Sequence, residues 1–404
     1  MKIHALETIQ VPEYPNQLYV RVRTDSGHTG LGETRNGAAA VAAWIHESAA
    51  PALLGQEALA IERHWRALNP MPGFNSAGAE CRGRSALDLA FWDLLGQAAG
   101  MPLWQVLGGA VRERIQIYNT CVGPGYTRRV PRIAGMLSEN WNIGTATEAN
   151  PYEDLQAFRE RAAELARSLL DQGISAMKIW PFDPFAERTG GRHITLADLE
   201  RGLEPFRRIR DATGDAMEIL VEMHGLWDLP SAIRIASAIE PYRPYWFEDP
   251  IKADDPGALA EFASRFRVPT AAGETLGTRW AFRELLERRA VGVVICDAGY
   301  AGGISEVKKI AAQAECHQLP VALHDCTGPV NFIVNTHLSA HLPNVGLQEF
   351  ARAFYHGWYG EIVTVLPPVA EGHVSPLQAP GLGAALRPEL LDRSDLIRHV
   401  SRAS

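Results

Sequence analysis

Cysteine is scarce in this sequence: only five of its 404 residues are cysteines, and no two of them form a C-x-x-C pair. An odd number of scattered cysteines predicts neither a disulfide framework nor a zinc site with thiolate ligands. The sequence also has no apolar run of about 18 residues, the length that a membrane-spanning helix requires. Its N-terminal residues lack the apolar core of a secretory signal. These absences together predict a reduced, cytoplasmic protein with no membrane partner.

Long blocks of like charge are absent as well. The formal net charge is −8, and the sequence contains no polyionic tail. An acidic balance without a basic stripe argues against a nucleic-acid partner or an anionic membrane surface. The hydrophobic fraction of 46% and the charged fraction of 21% are those of an ordinary folded protein. The length is sufficient for two domains or for one large barrel with additions.

The first part of the chain predicts a self-contained α+β unit. The stretches 2–11 and 17–33 alternate apolar and polar residues, which predicts a pair of strands, and residues 25–27 supply a turn. From about 38 to 108 the hydrophobic period becomes helical, and one amphipathic stretch ends at Gly100. The pattern therefore indicates a small mixed domain at the N-terminus.

The rest of the chain alternates short apolar strands with amphipathic helices. Strands that are nearly all apolar indicate a parallel sheet covered on its outer face, and eight repeats favour a closed TIM-type barrel over an open sheet. A long polar segment marked by Gly and Pro, residues 122–152, interrupts the alternation and predicts a loop or lid. The predicted strands are IQIYNT (115–120), SAMKIW (175–180), MEILVEMH (217–224), PYWFEDP (244–250), VPTAAGET (268–275), VGVVICDAG (291–299), LPVALHDC (319–326) and VGLQEF (345–350).

Polar side chains stand at the carboxyl ends of these strands, the edge at which barrel enzymes carry their active sites. Three of them, Glu222, Glu248 and Glu274, are separated by 26 residues each time, so we expect them at equivalent heights on consecutive strands. Three carboxylates at that spacing would repel one another unless a cation neutralised them, and an all-oxygen ligand set suits Mg²⁺ and not zinc. The alternative is that each glutamate is an ordinary loop-end residue. The whole set is Lys178, Glu222, His224, Glu248, Glu274, Asp297, His324 and Glu349.

Two histidines at this edge are predicted to lie near carboxylates. Asp297 and His324 end two successive strands, and a carboxylate bonded to an imidazole makes a general base that works near neutral pH. Glu222 and His224, two residues apart on one strand, point to the same side. The structural alternative is that Asp297 caps a turn and that both histidines are only packed or bonded to carbonyl groups.

The sequence resembles the enolase superfamily, and within it the mandelate racemase/muconate lactonizing enzyme family of the mandelate racemase type. The resemblance implies an α/β fold in which a TIM-type (β/α)7β barrel, residues 115–355, follows an N-terminal α+β capping domain, residues 1–114. The C-terminal segment, residues 356–404, is expected to return to the capping domain and complete it. The motifs that carry the resemblance are GLGE (30–33), ALDLAFWDLLGQAAGMPLWQVLGG (86–109), VEMHG, WFEDP, AAGET, CDAGYAGGISE, LHDCTGP and QEF.

The resemblance also implies roles for the polar residues at the strand ends. Asp297 and His324 match the Asp–His dyad of the mandelate racemase group, whose lactonising and succinylamino-acid racemase relatives have a lysine where this chain has Asp297. Glu349 matches a glutamate that hydrogen-bonds the substrate carboxylate or its enediolate, and Lys178 matches the first lysine of a Lys-x-Lys motif. The implied cofactor is Mg²⁺, as is usual for superfamily sites with a Lys or His base. Its implied ligands are Glu222, Glu248 and Glu274.

One departure from the family pattern indicates the reaction. The second lysine of the Lys-x-Lys motif, which is catalytic in the racemases, is replaced by Trp180, whose indole cannot take a proton from carbon. The pair Glu222-x-His224 resembles the Asp-x-His element of galactonate dehydratases, with a longer carboxylate at the first position. A histidine beside the metal can protonate a departing hydroxide. The sequence therefore predicts a dehydratase of a polyhydroxylated sugar acid, with His324 as the base and His224 as the acid.

Two other functions stay open at this point. One is a racemase or epimerase of a 2-hydroxy acid that uses His324 and His224 on opposite faces of the substrate. The other is a non-catalytic family member that keeps the fold and metal as a scaffold, against which the intact dyad argues. The predicted partner is in either enzymatic case a small carboxylate substrate. The family also predicts a homo-oligomer, with specificity set by capping-domain loops at 12–17 and 72–80.

Overall fold

The protein is described here from a computed structural model that covers residues 1–69, 77–126 and 150–403. Most of the predicted loop or lid at 122–152 lies outside the described residues. The same holds for part of the predicted specificity loop at 72–80. Among the described residues, none of the helices combines the length and the apolar character that a membrane span requires.

The N-terminal part of the chain forms an antiparallel sheet covered by helices. Its elements are β1 (Ile3–Gln10), β2 (Gln17–Thr24), β3 (Thr29–Arg35), α1 (Ala38–Trp44), α2 (Ala50–Leu53), α3 (Ile61–Ala67), α4 (Ala79–Ala99) and α5 (Leu103–Val106). The turn predicted at residues 25–27 is confirmed, with Gly27 at φ 86°. The predicted pair of strands is three strands, because this turn divides the stretch 17–33 into β2 and most of β3.

Helix α4 packs directly on strand β3 because two glycines allow a close approach. A Cβ atom at Gly32 would lie 1.8 Å from the carbonyl oxygen of Ala86, and one at Gly30 would lie 2.1 Å from that of Ala90. Any side chain at these positions would push the helix away from the sheet. Gly100, in the left-handed region at φ 66°, ends α4 as the sequence predicts.

Eight parallel strands form a closed barrel, and all eight fall within the predicted segments. They are β4 (Ile115–Thr120), β5 (Ala176–Ile179), β6 (Glu218–Glu222), β7 (Trp246–Glu248), β8 (Thr270–Ala272), β9 (Val293–Cys296), β10 (Val321–Leu323) and β11 (Val345–Phe350). Each strand pairs with the next along the chain, and β11 pairs with β4, which closes the barrel. The helices of this part are α6 (Asp154–Glu160), α7 (Ala162–Leu170), α8 (Asp183–Thr189), α9 (Leu196–Thr213), α10 (Leu229–Ile239), α11 (Pro256–Arg265), α12 (Thr278–Glu287), α13 (Ile304–Cys316) and α14 (Pro329–His341).

Side chains fill the interior of the barrel. Two aromatic rings lie there among aliphatic side chains, and the rings of Tyr118 and Trp246 meet edge to face with centroids 5.3 Å apart. A filled interior leaves the carboxyl ends of the strands as the place for a cavity. The interior cluster consists of Tyr118, Ala176, Leu220, Trp246, Ala271, Val293, Ile295 and Ala322.

The C-terminal segment returns to both parts of the fold. It follows α15 (Arg352–Tyr355) and contains α16 (Tyr359–Ile362), β12 (Val369–Ala370), β13 (His373–Val374), α17 (Pro388–Leu391) and β14 (Ile397–Arg402). Strand β14 pairs with β1, so the capping sheet has the order β14-β1-β2-β3, while β13 pairs with β4 beside the barrel. The predicted fold class, a TIM-type barrel with a capping domain completed by the C-terminal segment, is confirmed. The exact residue limits of the three parts stay predictions.

The end of strand β3 attaches the capping domain to the loops of the barrel. Glu33 accepts a hydrogen bond from a backbone N–H in the first turn of α14, at 2.8 Å. Thr34 Oγ1 donates to the carbonyl oxygen of Gly299, and Arg35 Nη1 donates to that of Cys326, both at 2.7 Å. Burial raises the pKa of Glu33 to about 8 although the helix N–H groups act in the opposite direction. These contacts hold the loops that follow β9 and β10.

A buried histidine in α14 makes the stability of the fold sensitive to acid. Burial lowers the pKa of His337 to about 4, and the Nε2 atom lies 3.1 Å from the carbonyl oxygen of Leu382. Between pH 6.5 and pH 4 the histidine therefore binds a proton in the unfolded chain, where its pKa is the ordinary 6.5, but not in the folded state. The stabilising contribution is complete above pH 6.5 and is lost as the pH falls toward 4.

The unfolding free energy of the parent protein should fall between pH 7 and pH 5. In His337→Gln we expect this fall to be smaller by about 2 kcal/mol. Urea denaturation of both proteins at the two pH values measures this difference. The matched control is His193→Gln at an exposed position, which should retain the acid sensitivity of the parent protein. An unchanged pH dependence in His337→Gln would contradict the assignment.

Candidate active site

A cavity of about 270 Å³ lies at the carboxyl ends of the barrel strands, beneath the capping domain. The structure brings all eight sequence-predicted residues together at this place. Glu248 and Asp297 lie behind the cavity wall, where they contact Lys178 and His324 respectively. The other six line the cavity: Lys178, Glu222, His224, Glu274, His324 and Glu349.

Three carboxylates form a cluster in this region. One oxygen atom from each of Glu222, Glu248 and Glu274 lies within 4.8 Å of the others. Glu222 and Glu248 are register partners on β6 and β7, as their spacing predicts. The prediction of equal heights is wrong for Glu274, because Glu248 pairs with Ala271 and Glu274 lies three residues further on. Its side chain joins the cluster from the loop after β8.

The chemistry of this cluster fits a hard divalent cation. The three residues supply only carboxylate oxygens. Burial, together with the nearby Glu222 and Glu349, raises the pKa of Glu248 well above its usual value in spite of Lys178. Burial and the charge of Glu274 do the same to the pKa of Asp249. These directions indicate an excess of negative charge that a cation held by the three carboxylates would offset.

Lys178 is a buried ammonium group at the floor of the cavity. Its Nζ lies 2.6 Å from Glu248 Oε1, 2.9 Å from Glu349 Oε1 and 3.2 Å from Glu222 Oε2. Burial alone would lower the pKa of Lys178, but Glu248 and Glu349 outweigh it and raise the pKa well above its usual value. The lysine is therefore a permanent cation and hydrogen-bond donor at this floor, and not a base.

Glu349 accepts hydrogen bonds from three directions. Lys178 and the Thr120 hydroxyl donate to Oε1, and the backbone N–H of Asp325 donates to Oε2 at 2.9 Å. Burial opposes ionisation, yet the charges of Lys178 and His324 lower the pKa of Glu349. In this arrangement Glu349 is a carboxylate. To donate to a substrate oxygen, as the resemblance implies, it would first have to take up a proton.

His324 and Asp297 form a hydrogen-bonded pair. His324 Nδ1 lies 2.6 Å from Asp297 Oδ2, and the other ring nitrogen, Nε2, lies 3.4 Å from Glu274 Oε2 at the cavity. Burial would lower the pKa of His324, but Glu274 and Glu349 outweigh it and raise the pKa well above its usual value. A cation bound by Glu274 would weaken that effect and favour the neutral imidazole that a base requires.

His224 has a carboxylate partner of its own. Its Nδ1 lies 2.7 Å from Asp183 Oδ2, and its backbone N–H donates to Glu222 Oε1 at 2.7 Å in a left-handed conformation with φ 48°. Burial opposes the charged form, but Asp183 and Glu222 outweigh it and raise the pKa of His224 to about 9. The ring meets Trp180 edge to face at 5.6 Å. The imidazole is thus oriented by Asp183, and the charge of that carboxylate favours the protonated ring.

The two histidines stand on opposite sides of the barrel. His224 follows β6 and His324 follows β10, and these strands are four positions apart in a closed barrel of eight. The strands between them carry Glu248 and the loop with Glu274. A molecule bound at the carboxylate cluster would therefore have one imidazole on each side.

Sequence reasoning missed several residues of this site. Thr327 Oγ1 donates to Asp297 at 2.5 Å, and Asp183 orients His224. Thr120 ends the first barrel strand, so the rule that identified the other strand-end residues could have found it. The sequence offered no comparable signal for two capping-domain arginines that line the cavity, Arg35 and Arg82.

Comparisons with known proteins agree with this architecture. Residues 5–108 match the mandelate racemase/muconate lactonizing enzyme N-terminal domain, and residues 161–390 match the enolase C-terminal domain-like family. The chain is 30% identical over 407 residues to D-galactonate dehydratase from Verminephrobacter eiseniae, covering 98% of this chain and 94% of the relative. It is also 30% identical to D-gluconate dehydratase from Thermoproteus tenax over 309 residues, which are 76% of this chain and 55% of the relative.

A solved structure extends the similarity to three dimensions. An enolase of the mandelate racemase subgroup from Agrobacterium tumefaciens, crystallised with sodium and phosphate, is 44% identical to this chain. The two align with a TM-score of 0.88 over 100% of this chain and 99% of that one. The chain therefore belongs to the mandelate racemase/muconate lactonizing enzyme family of the enolase superfamily.

Proposed function

We propose that the protein is a Mg²⁺-dependent dehydratase of a sugar acid. It would remove the α-proton and the β-hydroxyl group and release a 2-keto-3-deoxy acid. The observation that carries the proposal is the pair of histidines, each oriented by its own aspartate, on opposite sides of a cluster of three carboxylates. Elimination of water needs a base for the α-proton and an acid for the leaving hydroxide, and the site offers one of each. The names of the D-galactonate and D-gluconate dehydratase relatives support the same reaction.

Glu222, Glu248 and Glu274 are the residues that would hold Mg²⁺. When bound, the cation supplies a Lewis acid that stabilises negative charge developing on the substrate carboxylate. Lys178 donates a hydrogen bond to the same carboxylate from the cavity floor. When the substrate carboxylate binds beside Glu349, its negative charge raises the pKa of Glu349. Glu349 can then take up a proton and donate it in a hydrogen bond to the substrate.

His324 takes the α-proton at Nε2. Asp297 accepts a hydrogen bond from Nδ1, which fixes the tautomer in which Nε2 carries the free lone pair. As the proton moves, the ring becomes an imidazolium next to Asp297, which stabilises that charge. Thr327 and the backbone N–H of Gly299 donate to the same carboxylate and keep it in place.

His224 gives its Nε2 proton to the departing β-hydroxyl group. Asp183 accepts a hydrogen bond from Nδ1. Burial lowers the pKa of His224, and among the groups that raise this pKa the charge of Asp183 has the largest effect. The product is an enol that becomes the 2-keto-3-deoxy acid by tautomerisation. Trp180, at the end of the strand that carries Lys178, contributes an apolar wall beside His224 and no base.

A 2-hydroxy-acid epimerase is the second candidate. The observation that favours it is the contact between Asp183 and His224. Once the His224 imidazole has lost its proton, it could serve as a second base in the orientation that Asp183 fixes. In that case the wild-type protein would invert the α-carbon and incorporate solvent deuterium without forming a keto-deoxy product. Product analysis therefore separates the two reactions.

The test of the proposed function is a screen of acid sugars with the wild-type protein and Mg²⁺. Formation of a 2-keto-3-deoxy acid, detected as its semicarbazone and by NMR, is the expected result. Inversion without dehydration would favour the epimerase. Neither product nor α-proton exchange with any acid sugar would leave the non-catalytic scaffold as the conclusion.

We expect Glu248→Gln to lose Mg²⁺ binding because one of three charged oxygen ligands becomes a neutral amide. Calorimetric titration with Mg²⁺ measures the affinity directly. In the wild type a hundredfold excess of Mg²⁺ over its dissociation constant should add about 2.7 kcal/mol of stability, and the variant should gain far less.

The matched control for this experiment is Asp88→Asn. Asp88 is also buried, and burial raises its pKa to about 7, but it lies outside the cavity and is bonded to Ser305. This variant should bind Mg²⁺ as the wild type does. Undiminished Mg²⁺ affinity in folded Glu248→Gln would remove Glu248 from the ligand set.

A further inference from the structure

Two arginines of the capping domain line the cavity. Arg35 ends β3 and Arg82 lies on α4. Arg82 Nη1 donates to the carbonyl oxygen of Arg35 at 2.7 Å, so the two residues are in direct contact. In the part of the chain that the structure describes, neither guanidinium group forms an ion pair with a carboxylate.

The charges of these arginines have no carboxylate partner among residues 1–69, 77–126 and 150–403, unlike the charge of Lys178 at the floor. Lys178 has three carboxylates within 3.2 Å. Arg35 is only 9% exposed, its Nη1 donates to a backbone carbonyl, and its Nε has no hydrogen-bond partner. Burying a cation is costly unless an anion compensates it. The capping-domain side of the cavity is therefore suited to a negative group that none of the described residues provides.

The arginines and the groups proposed to bind the substrate carboxylate line the same cavity from different domains. Lys178 and Glu349 stand on barrel strands, whereas both arginines belong to the capping domain. The Arg82 guanidinium lies 3.9 Å above the ring of Tyr300, and that ring is 6.0 Å from the ring of His324. One aromatic ring thus separates Arg82 from the proposed base. A substrate held at the floor would extend its far end toward Arg82.

We propose that Arg82 and Arg35 bind a second anionic group at the end of the substrate remote from the reacting carboxylate. This inference rests on the proposed dehydratase function and narrows its substrate class. The substrate is then a sugar diacid or a phosphorylated sugar acid, and not an acid with a neutral far end. Arginine suits this task because its planar fork donates two parallel hydrogen bonds to a carboxylate or a phosphate.

The experiment compares three ligands of one stereochemistry, repeated for each available stereoisomer. They are a hexonate, the corresponding hexarate and the hexonate 6-phosphate. For the wild type we expect kcat/KM to be higher for one of the two doubly anionic compounds than for the hexonate. A preference for the hexarate identifies a carboxylate at the subsite, and a preference for the 6-phosphate identifies a phosphate.

Arg82→Gln should lower kcat/KM for the preferred compound by about 10- to 100-fold, the usual effect of losing a charge-assisted hydrogen bond. The loss should appear mainly as a higher KM, because the contact is made equally in the ground state and the transition state. The loss should be much smaller for binding of the hexonate, which has no second anion, and an unchanged unfolding temperature shows that the variant is folded. Arg35→Lys keeps the charge but not the fork and should show a smaller loss of the same kind.

The matched control is Arg84→Gln. Arg84 lies on the same helix with its guanidinium 5.5 Å from the Trp65 ring, outside the cavity. This variant should keep the selectivity between hexarate, phosphate and hexonate. Equal loss of all three substrates in Arg82→Gln would overturn the subsite and indicate a structural contact only.

Calorimetric measurement of ligand affinity tests the arginine subsite independently of any reaction. Tighter binding of a doubly anionic compound than of the hexonate, lost in Arg82→Gln, supports the subsite even if no compound is dehydrated. Equal binding of the three compounds in every stereochemical series overturns it. Dehydration of the hexonate with no anionic preference overturns the subsite and leaves the proposed function standing.

Discussion

His324→Asn is expected to abolish exchange of the substrate α-proton with solvent. Asparagine keeps approximately the size of imidazole but has no group that accepts a proton from carbon. General-base assistance is typically worth about 10²–10⁴-fold, so exchange and dehydration should both fall by a factor in that range. The measurement is deuterium incorporation at the α-carbon in D₂O, followed by NMR, on the substrate identified by the screen.

Two observations make this result interpretable. Binding of Mg²⁺ and the unfolding temperature should stay close to those of the wild type, because Glu222, Glu248 and Glu274 remain. The control is His193→Asn at an exposed position, which should keep full activity. Exchange at the wild-type rate in a folded His324→Asn protein would exclude His324 as the base.

His224→Asn is expected to separate the two halves of the reaction. The variant lacks the proton donor for the leaving hydroxide, so dehydration should fall by about 10²–10⁴-fold. His324 and Asp297 are untouched and stand on the opposite side of the barrel, so exchange of the α-proton should continue. Deuterium incorporation and keto-deoxy product must therefore be measured in the same sample.

The outcomes of this experiment distinguish three roles of His224. Retained exchange with lost dehydration identifies the acid. A parallel loss of both, with a lowered unfolding temperature, would indicate a structural role through Asp183. Exchange that persists for only one configuration of the α-carbon, with no keto-deoxy product from the wild type, would identify one base of an epimerase. Unimpaired dehydration by the folded variant would end the proposal for this residue.

Much of the fold follows from the sequence because its signals are local. Each barrel strand is a short apolar run followed by a polar residue, and all eight runs coincide with strands. Parallel strands place their carboxyl ends at one edge, which is why residues as distant as Lys178 and Glu349 could be assigned to one site. The glycines that admit α4 to β3 are equally local, since only glycine permits that approach.

The sequence predicted the positions of residues less well where they depend on the exact end of a strand or on the turn that follows it. The turn at residues 25–27 was predicted, but not that it separates two strands of the capping sheet, β2 and β3. The position of Glu274 depends on where β8 ends, and an even spacing of 26 residues does not reveal this. Regular spacing reports the length of a strand–helix unit, whereas height in the barrel also depends on the register between neighbouring strands.

By itself the sequence determined the order of strands and helices, the edge of the barrel that carries the chemistry and the types of residue found there. Apart from the Asp297–His324 pair that the resemblance implied, only the tertiary structure decided which groups touch. Asp183 reaches His224 across 41 residues of chain, and Thr120 reaches Glu349 across 229, because closure of the barrel places β4 beside β11. The arginines enter the cavity from another domain. Such contacts depend on packing between distant segments, and no local pattern of residues encodes them.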